Sequence, residues 1–187
     1  GTIPASGSYG NLSLSDGLLG YWKLDETTGT IAADSSGLGH TGTHTSAPTI
    51  SSDVPTLQFA NPRSLDFDGS TNYVDLGTPA FLNNQFAGKI SLSAWIKPDV
   101  SKTAVIFGKS DNADHNSPYY DYSLFQFGNI LNFRIGGTSI SSSGAGTGAL
   151  VVNGTTWQHV AGTYDGTTLR AYINGVEVAS QVSAGLS

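Results

Sequence analysis

Thr156-Trp157-Gln158-His159-Val160-Ala161-Gly162-Thr163-Tyr164-Asp165-Gly166, followed by Leu169-Arg170-Ala171-Tyr172-Ile173-Asn174-Gly175-Val176-Glu177-Val178-Ala179, is the stretch that decides the fold. Two strand-like runs, Trp157 to Tyr164 and Leu169 to Ile173, flank Asp165-Gly166, and Asn174-Gly175 turns the chain into Val176 to Ala179. Asp-Gly and Asn-Gly are strong hairpin signals because both residues accept positive φ. The same grammar runs back along the chain. Leu92, Ala94 and Ile96 take one face of Ser91 to Lys97, while Ser91, Ser93, Trp95 and Lys97 take the other. Tyr122 to Phe127 and Ile130 to Ile135 flank Gly128-Asn129, and Ala104 to Gly108 is a further apolar run. Ser64 to Gly69 and Tyr73 to Leu76 lie on either side of an Asp-Gly turn, and Leu19 to Leu24 reads as a first strand. Only Pro79 to Gln85 suits a helical turn, and 137–148 reads as a low-complexity exposed loop. About ten short strands between turn clusters predict an all-β, two-sheet antiparallel sandwich of jelly-roll type.

The composition agrees. Of 187 residues, 38% are hydrophobic and only 12% charged, and both Cys and Met are absent. Asp dominates the 14 acidic residues, Glu26 and Glu177 being the two glutamates, and Lys plus Arg number 8. Few helix formers and many turn and strand formers exclude a helical bundle. A net charge of −6 with scattered basic residues argues against nucleic-acid binding. No apolar run approaches the ~18 residues of a membrane span, nor is there a basic amphipathic helix. Residues 1–17 form a polar lead-in, a linker or an edge strand through Leu12 and Leu14, before a sandwich over 18–187. A chain rich in Ser, Thr, Gly and Asn with few charges suits an extracellular or cell-surface bacterial setting.

Gly20-Tyr21-Trp22-Lys23-Leu24-Asp25-Glu26, Ala33-Asp34-Ser35-Ser36-Gly37 and Leu65-Asp66-Phe67-Asp68-Gly69 then occur in order. After them come Ile90 to Pro98, Ile106 to Lys109, Thr156 to Gly166 and Leu169 to Val178. This succession, over residues 18–180, resembles the LamG-like jelly roll of the concanavalin A-like lectin/glucanase superfamily. The resemblance is specific for fold and weakly specific for function, because the scaffold hosts lectins, adhesins and a few enzymes. It places all three tryptophans in structural blocks, which implies core positions for them.

Catalysis is not expected. The superfamily's hydrolases use a Glu-x-Asp-x-x-Glu strand, and neither Glu26 nor Glu177 has that spacing. Asp66 and Asp68 are i, i+2 and read as turn-forming residues before Gly69 rather than as an acid/base pair. His159 reads as a packed or edge histidine. His40 and His44 are four apart, but on a Gly/Thr-rich segment that gives zinc no helix.

Two readings of Asp34 stay open. It caps its own loop as an Asx-turn, or, as the resemblance implies, it contributes to a structural Ca²⁺.

The ligand-binding candidates cluster at 109–122. Asp111, Asn112, Asp114, His115 and Asn116 form a polar tip, and Tyr119, Tyr120 and Asp121 place phenols beside a carboxylate ahead of a strand. Asn132 and Arg134 share the face opposite Leu131, Phe133 and Ile135 and would floor a groove. Aromatic rings with amide, carboxylate and guanidinium neighbours are what sugar hydroxyls and ring faces need, so the expected function is a non-catalytic, lectin-like module of a larger surface protein. The alternative is a protein-interaction domain. The resembled family continues past the Asn-Gly hairpin with two strands whose sequence blocks do not appear before Ser187. The resemblance therefore implies that a C-terminal segment or second chain pairs beside Gly20, Tyr21, Trp22, Lys23 and Leu24.

Overall fold

Alternation turns into two stacked sheets wherever both faces of a strand are specified. The computed structural model describes residues 16–78, 80–82, 88–99, 101–109, 122–136, 138–142 and 149–183. The chain divides into two units, Gly1–Gly77 and Thr78–Ser187.

In the first unit, β1 (Ile31–Ala32), β2 (Gly42–Thr45) and β5 (Tyr73–Asp75) form one antiparallel sheet in the order β1-β2-β5. β3 (Thr49–Ser51) pairs with β4 (Ser64–Asp66). The strands on either side of Asp68-Gly69 thus do not pair with each other. The Asp68 carboxylate explains why: it accepts the N–H groups of Ser70, Thr71 and Asn72 and the Thr71 hydroxyl, closing a compact loop instead of a two-residue turn. Phe67 lies beyond the end of β4 and is 40% exposed. Leu24 and Leu65 are half-buried.

The expected first strand is not formed either. Trp22 makes a single antiparallel bridge to Asp34, and Leu24 leaves extended geometry at φ 56°. The Tyr21 N–H donates to Asp34 Oδ1 and its carbonyl accepts from Ser35 N, so the peptide groups of this segment engage the chain's own 34–40 loop.

The second unit is the sandwich. β7 (Lys102–Lys109), β8 (Tyr122–Gly128), β9 (Ile130–Ile135) and β10 (Thr138–Ser141) make one antiparallel sheet, ordered β10-β9-β8-β7. β6 (Ile90–Ile96), β11 (Gln158–Tyr164), β12 (Thr168–Ile173) and β13 (Val176–Val182) make the other, ordered β13-β12-β11-β6. The three hairpin turns read from the sequence in this unit are present: Gly128 (φ 62°) joins β8 to β9, Asp165-Gly166 (Gly166 φ 97°) joins β11 to β12, and Asn174-Gly175 (φ 51° and 78°) joins β12 to β13. Ala80–Leu82 forms one 3-10 turn, to whose Leu82 carbonyl the Tyr122 hydroxyl donates.

Leu124, Leu131, Phe133 and Ile135 from one sheet meet Val160, Leu169, Ala171 and Ile173 from the other, all buried. Leu92, Ala94 and Ile96 pack against this cluster, as the alternation requires. The stretch expected as a loop over 137–148 begins with a strand, because Ile140 is buried and Thr138 to Ser141 complete the edge beside β9. Residues 143–148 lie outside the described residues.

Candidate functional site

The outward face of the β7–β10 sheet carries the two expected groove residues that are described. Register places Asn132 opposite Phe125 and Arg134 opposite Ser123. The Arg134 guanidinium lies 5.5 Å from the centre of the Phe125 ring. Asn132 is buried, and its amide is committed within the sheet: Nδ2 donates to the Ile130 carbonyl and Oδ1 accepts from the Ser141 hydroxyl. Ser123 is fully buried, and its hydroxyl has no hydrogen-bond partner among the described residues. Asp111, Asn112, Asp114, His115, Asn116, Tyr119, Tyr120 and Asp121 lie outside the described residues. The connection that carries them leaves and rejoins the sheet at the paired residues Lys109 and Tyr122, one step in register from Ser123.

On the outward face of the other sheet Trp95 and Glu177 are exposed, and His159, Ala161 and Tyr172 are half-buried. Trp95, 41% exposed, stands opposite His159 in register, and their rings are 5.5 Å apart at 58°. In the next row Ser93, Ala161 and Tyr172 stand side by side on β6, β11 and β12, and Glu177 follows on β13. Ala161 is the small residue of the row, which keeps the surface low between Trp95 and Tyr172. Lys97 places its ammonium 5.7 Å from the Trp157 ring centre. Arg170 donates to Asp165 at 2.6 Å and lies 3.7 Å from Glu177, so its charge is matched within the face. Burial lowers the His159 pKa, which keeps its imidazole neutral at neutral pH. The tryptophans are therefore not core residues as expected. Trp95 belongs to the polar face that its alternation with Ser91, Ser93 and Lys97 already assigned it. Trp22 and Trp157 are half-buried. The Trp22 ring folds back over Gly20, where a Cβ would come within 2.2 Å of it, and its Nε1–H donates to the His40 carbonyl.

Asp34 is a loop clamp. Oδ1 accepts from Tyr21 N and Ser36 N, and Oδ2 from Ser36 Oγ and His40 N, all between 2.7 and 3.0 Å. Burial pushes its carboxyl up, but the bonds from Ser36, Tyr21 and His40 outweigh this and hold it well below the usual carboxylate range. Two donors on each oxygen leave no lone pair for a cation, and Ca²⁺ wants six to eight oxygen ligands. This arrangement does not fit the ion. Among the described residues no three His, Asp or Glu side chains gather as a metal cluster. The His40 ring bonds the Leu19 carbonyl, while His44 sits buried in β2.

The laminin G-type family model, described as the concanavalin A-like lectin/glucanases superfamily, matches residues 68–187. The chain belongs to that superfamily. Its sandwich is similar to the crystal structure of residues 221–444 of an S-layer domain-containing protein from Clostridium thermocellum, with 23% identity and a TM-score of 0.53. That match covers 87% of this chain and 71% of the other. A mutant of HCR D/C VPI 5995 is similar at 14% identity and TM-score 0.55, over 94% of this chain and 41% of that one. A carbohydrate binding protein from Bacteroides ovatus, its function putative in its own description, aligns at 21% identity and TM-score 0.39 over 54% of this chain and 27% of that one. No curated protein matches the sequence. The likenesses to the S-layer and HCR structures show a shared fold.

Proposed function

We propose that this chain is a non-catalytic carbohydrate-binding module of a surface-exposed or secreted bacterial protein, and that it binds sugar on the outward face of β6, β11, β12 and β13. The observation that carries the reading is Trp95: a large indole kept at a solvent-facing position of a lectin-superfamily sheet, buttressed by His159 and flanked along its strand by Ser93 and Lys97 on the same face. An exposed indole offers a flat apolar surface to the C–H face of a pyranose, and the polar neighbours offer hydrogen bonds to its hydroxyls. The S-layer description of one similar structure supports the surface setting, and membership of a lectin/glucanase superfamily supports the ligand class.

A non-catalytic role is supported by where the carboxylates go. Asp68 closes its own loop, Glu26 Oε1 accepts from Ala33 N, and Glu177 faces Arg170. A glycan array probed with the full chain tests the reading. Binding to neutral glycans that Trp95→Ala abolishes, with the melting temperature kept within about 2 °C because the side chain is surface-exposed, is the expected result. An array with no signal, or one indifferent to Trp95→Ala, removes it.

A second reading, recruitment of an extra strand, is favoured by one feature. β13 is the last strand of its sheet among the described residues, with Val176 and Val182 exposed, and such an edge can accept a pairing strand.

A further inference from the structure

The outward face of β6, β11 and β12 carries two aromatic side chains, exposed Trp95 and half-buried Tyr172, and their spacing bears on the length of ligand it fits. Trp95 lies on β6 and Tyr172 on β12, with β11 between them, and the rows they occupy are offset by two residues. At ~4.8 Å between strands and ~3.4 Å per residue, their backbones are about 12 Å apart across the sheet. One sugar ring cannot stack on both. Ala161, between them on β11, and Ser93, its partner in register on β6, are small and keep the intervening surface low. Arg170, the cation nearest Tyr172, is matched by Asp165 and Glu177, in a chain of net charge −6. Such a face has no excess positive potential with which to hold a sulfated or uronic-acid polymer.

We infer that the β6–β13 face is a track for an extended, neutral polysaccharide lying along the sheet surface, with Trp95 and Tyr172 stacking on different sugar residues of one chain. This rests on the carbohydrate reading above and adds the ligand's length and charge to it. The site then selects internal stretches of a straight polymer over chain ends or single sugars. A β-1,4-linked chain lies flat enough to reach both rings, whereas a helical α-linked chain curves away from one of them.

Isothermal titration of the full chain with cellobiose, cellohexaose, maltohexaose and a heparin-derived hexasaccharide tests it, using wild type, Trp95→Ala, Tyr172→Ala and Tyr172→Phe. Cellohexaose should bind at least about tenfold more tightly than cellobiose, the loss of one stacking contact being of this order. Tyr172→Ala should reduce cellohexaose affinity to the cellobiose level and leave cellobiose unchanged, and Tyr172→Phe should restore the long-chain preference. Equal affinity for the two lengths, an unaffected Tyr172→Ala, or stronger binding of maltohexaose or heparin overturns the track while leaving carbohydrate binding intact. Binding of none of the four by a folded wild type overturns both. A Tyr172→Ala chain that fails to fold transfers the decision to the length series on wild type.

Discussion

Replacing Gly162 by alanine probes the distance between the two sheets directly. Gly162 is buried in the middle of β11, its φ is not positive, and its conformation is one that alanine adopts, so only space decides the outcome. A Cβ built there meets Phe133 Cδ2 at 2.3 Å, Cγ at 2.4 Å and Cε2 at 2.9 Å. Carbon atoms prefer ~3.5–4.0 Å, so the ring or the sheet must give by more than about 1 Å. Phe133 is fully buried among Leu124, Ile135, Val160 and Ala171, which leaves its ring no open side. Overpacking of this kind costs ~1–3 kcal/mol, and the smaller unfolded-state entropy of alanine returns ~0.4–1 kcal/mol. The net is a loss of about 1–2 kcal/mol, or about 2–8 °C in melting temperature for a chain of this size. Urea denaturation of Gly162→Ala, Phe133→Leu and the double variant measures it. The smaller leucine makes room for the new methyl, so the double variant should be more stable than the sum of the singles by at least ~0.5 kcal/mol. Gly162→Ala as stable as wild type, or strictly additive singles, would show that the sheets do not meet at this point.

Calcium gives a second test. Because four donors saturate Asp34, millimolar Ca²⁺ should leave the melting temperature unchanged, and Asp34→Ala should lower it with or without the ion. A Ca²⁺-dependent rise that vanishes in Asp34→Ala would mean that the loop reorganises around a cation. Acid gives a third. Hydrogen bonds hold the carboxyls of Asp34, Asp68 (through Thr71 and Ser70) and Asp165 (through Arg170 and Thr167) below their ordinary values. Their contribution is fully present above the unfolded pKa of ~3.9 and is lost as pH falls through and below it. Urea midpoints should therefore be flat between pH 5 and 7 and fall below pH 4, with a smaller fall in Asp68→Asn. A midpoint that is constant down to pH 2.5 contradicts these loop clamps.

The local signals were legible because they depend on neighbours in sequence. Period-two alternation in Ser91 to Lys97 and in Trp157 to Tyr164, and the Asn174-Gly175 turn, specify strands, faces and reversals within a few residues of chain. Those signals suffice for an all-β sandwich with Leu92, Val160, Leu169 and Ile173 inside. They also placed Trp95 on the polar face. The resemblance, which places Trp95 in a structural block and implies a core position, is overruled by that local register.

What tertiary structure alone decided is pairing between distant segments. β11 lies between β12 and β6, β4 chooses β3 over β5, and Thr138 to Ser141 become a strand only because β9 offers an edge and the core a place for Ile140. The same holds for the commitments of single polar groups. Asn132 looks like a ligand residue in one dimension, yet Ser141 and Ile130 occupy its amide. Asp34 looks like a metal ligand until Tyr21 and His40 bring their N–H groups to it. Alternation says which face a side chain takes, but whether that face is open, and whose hydrogen bonds its polar atoms satisfy, depends on strands far away in the chain.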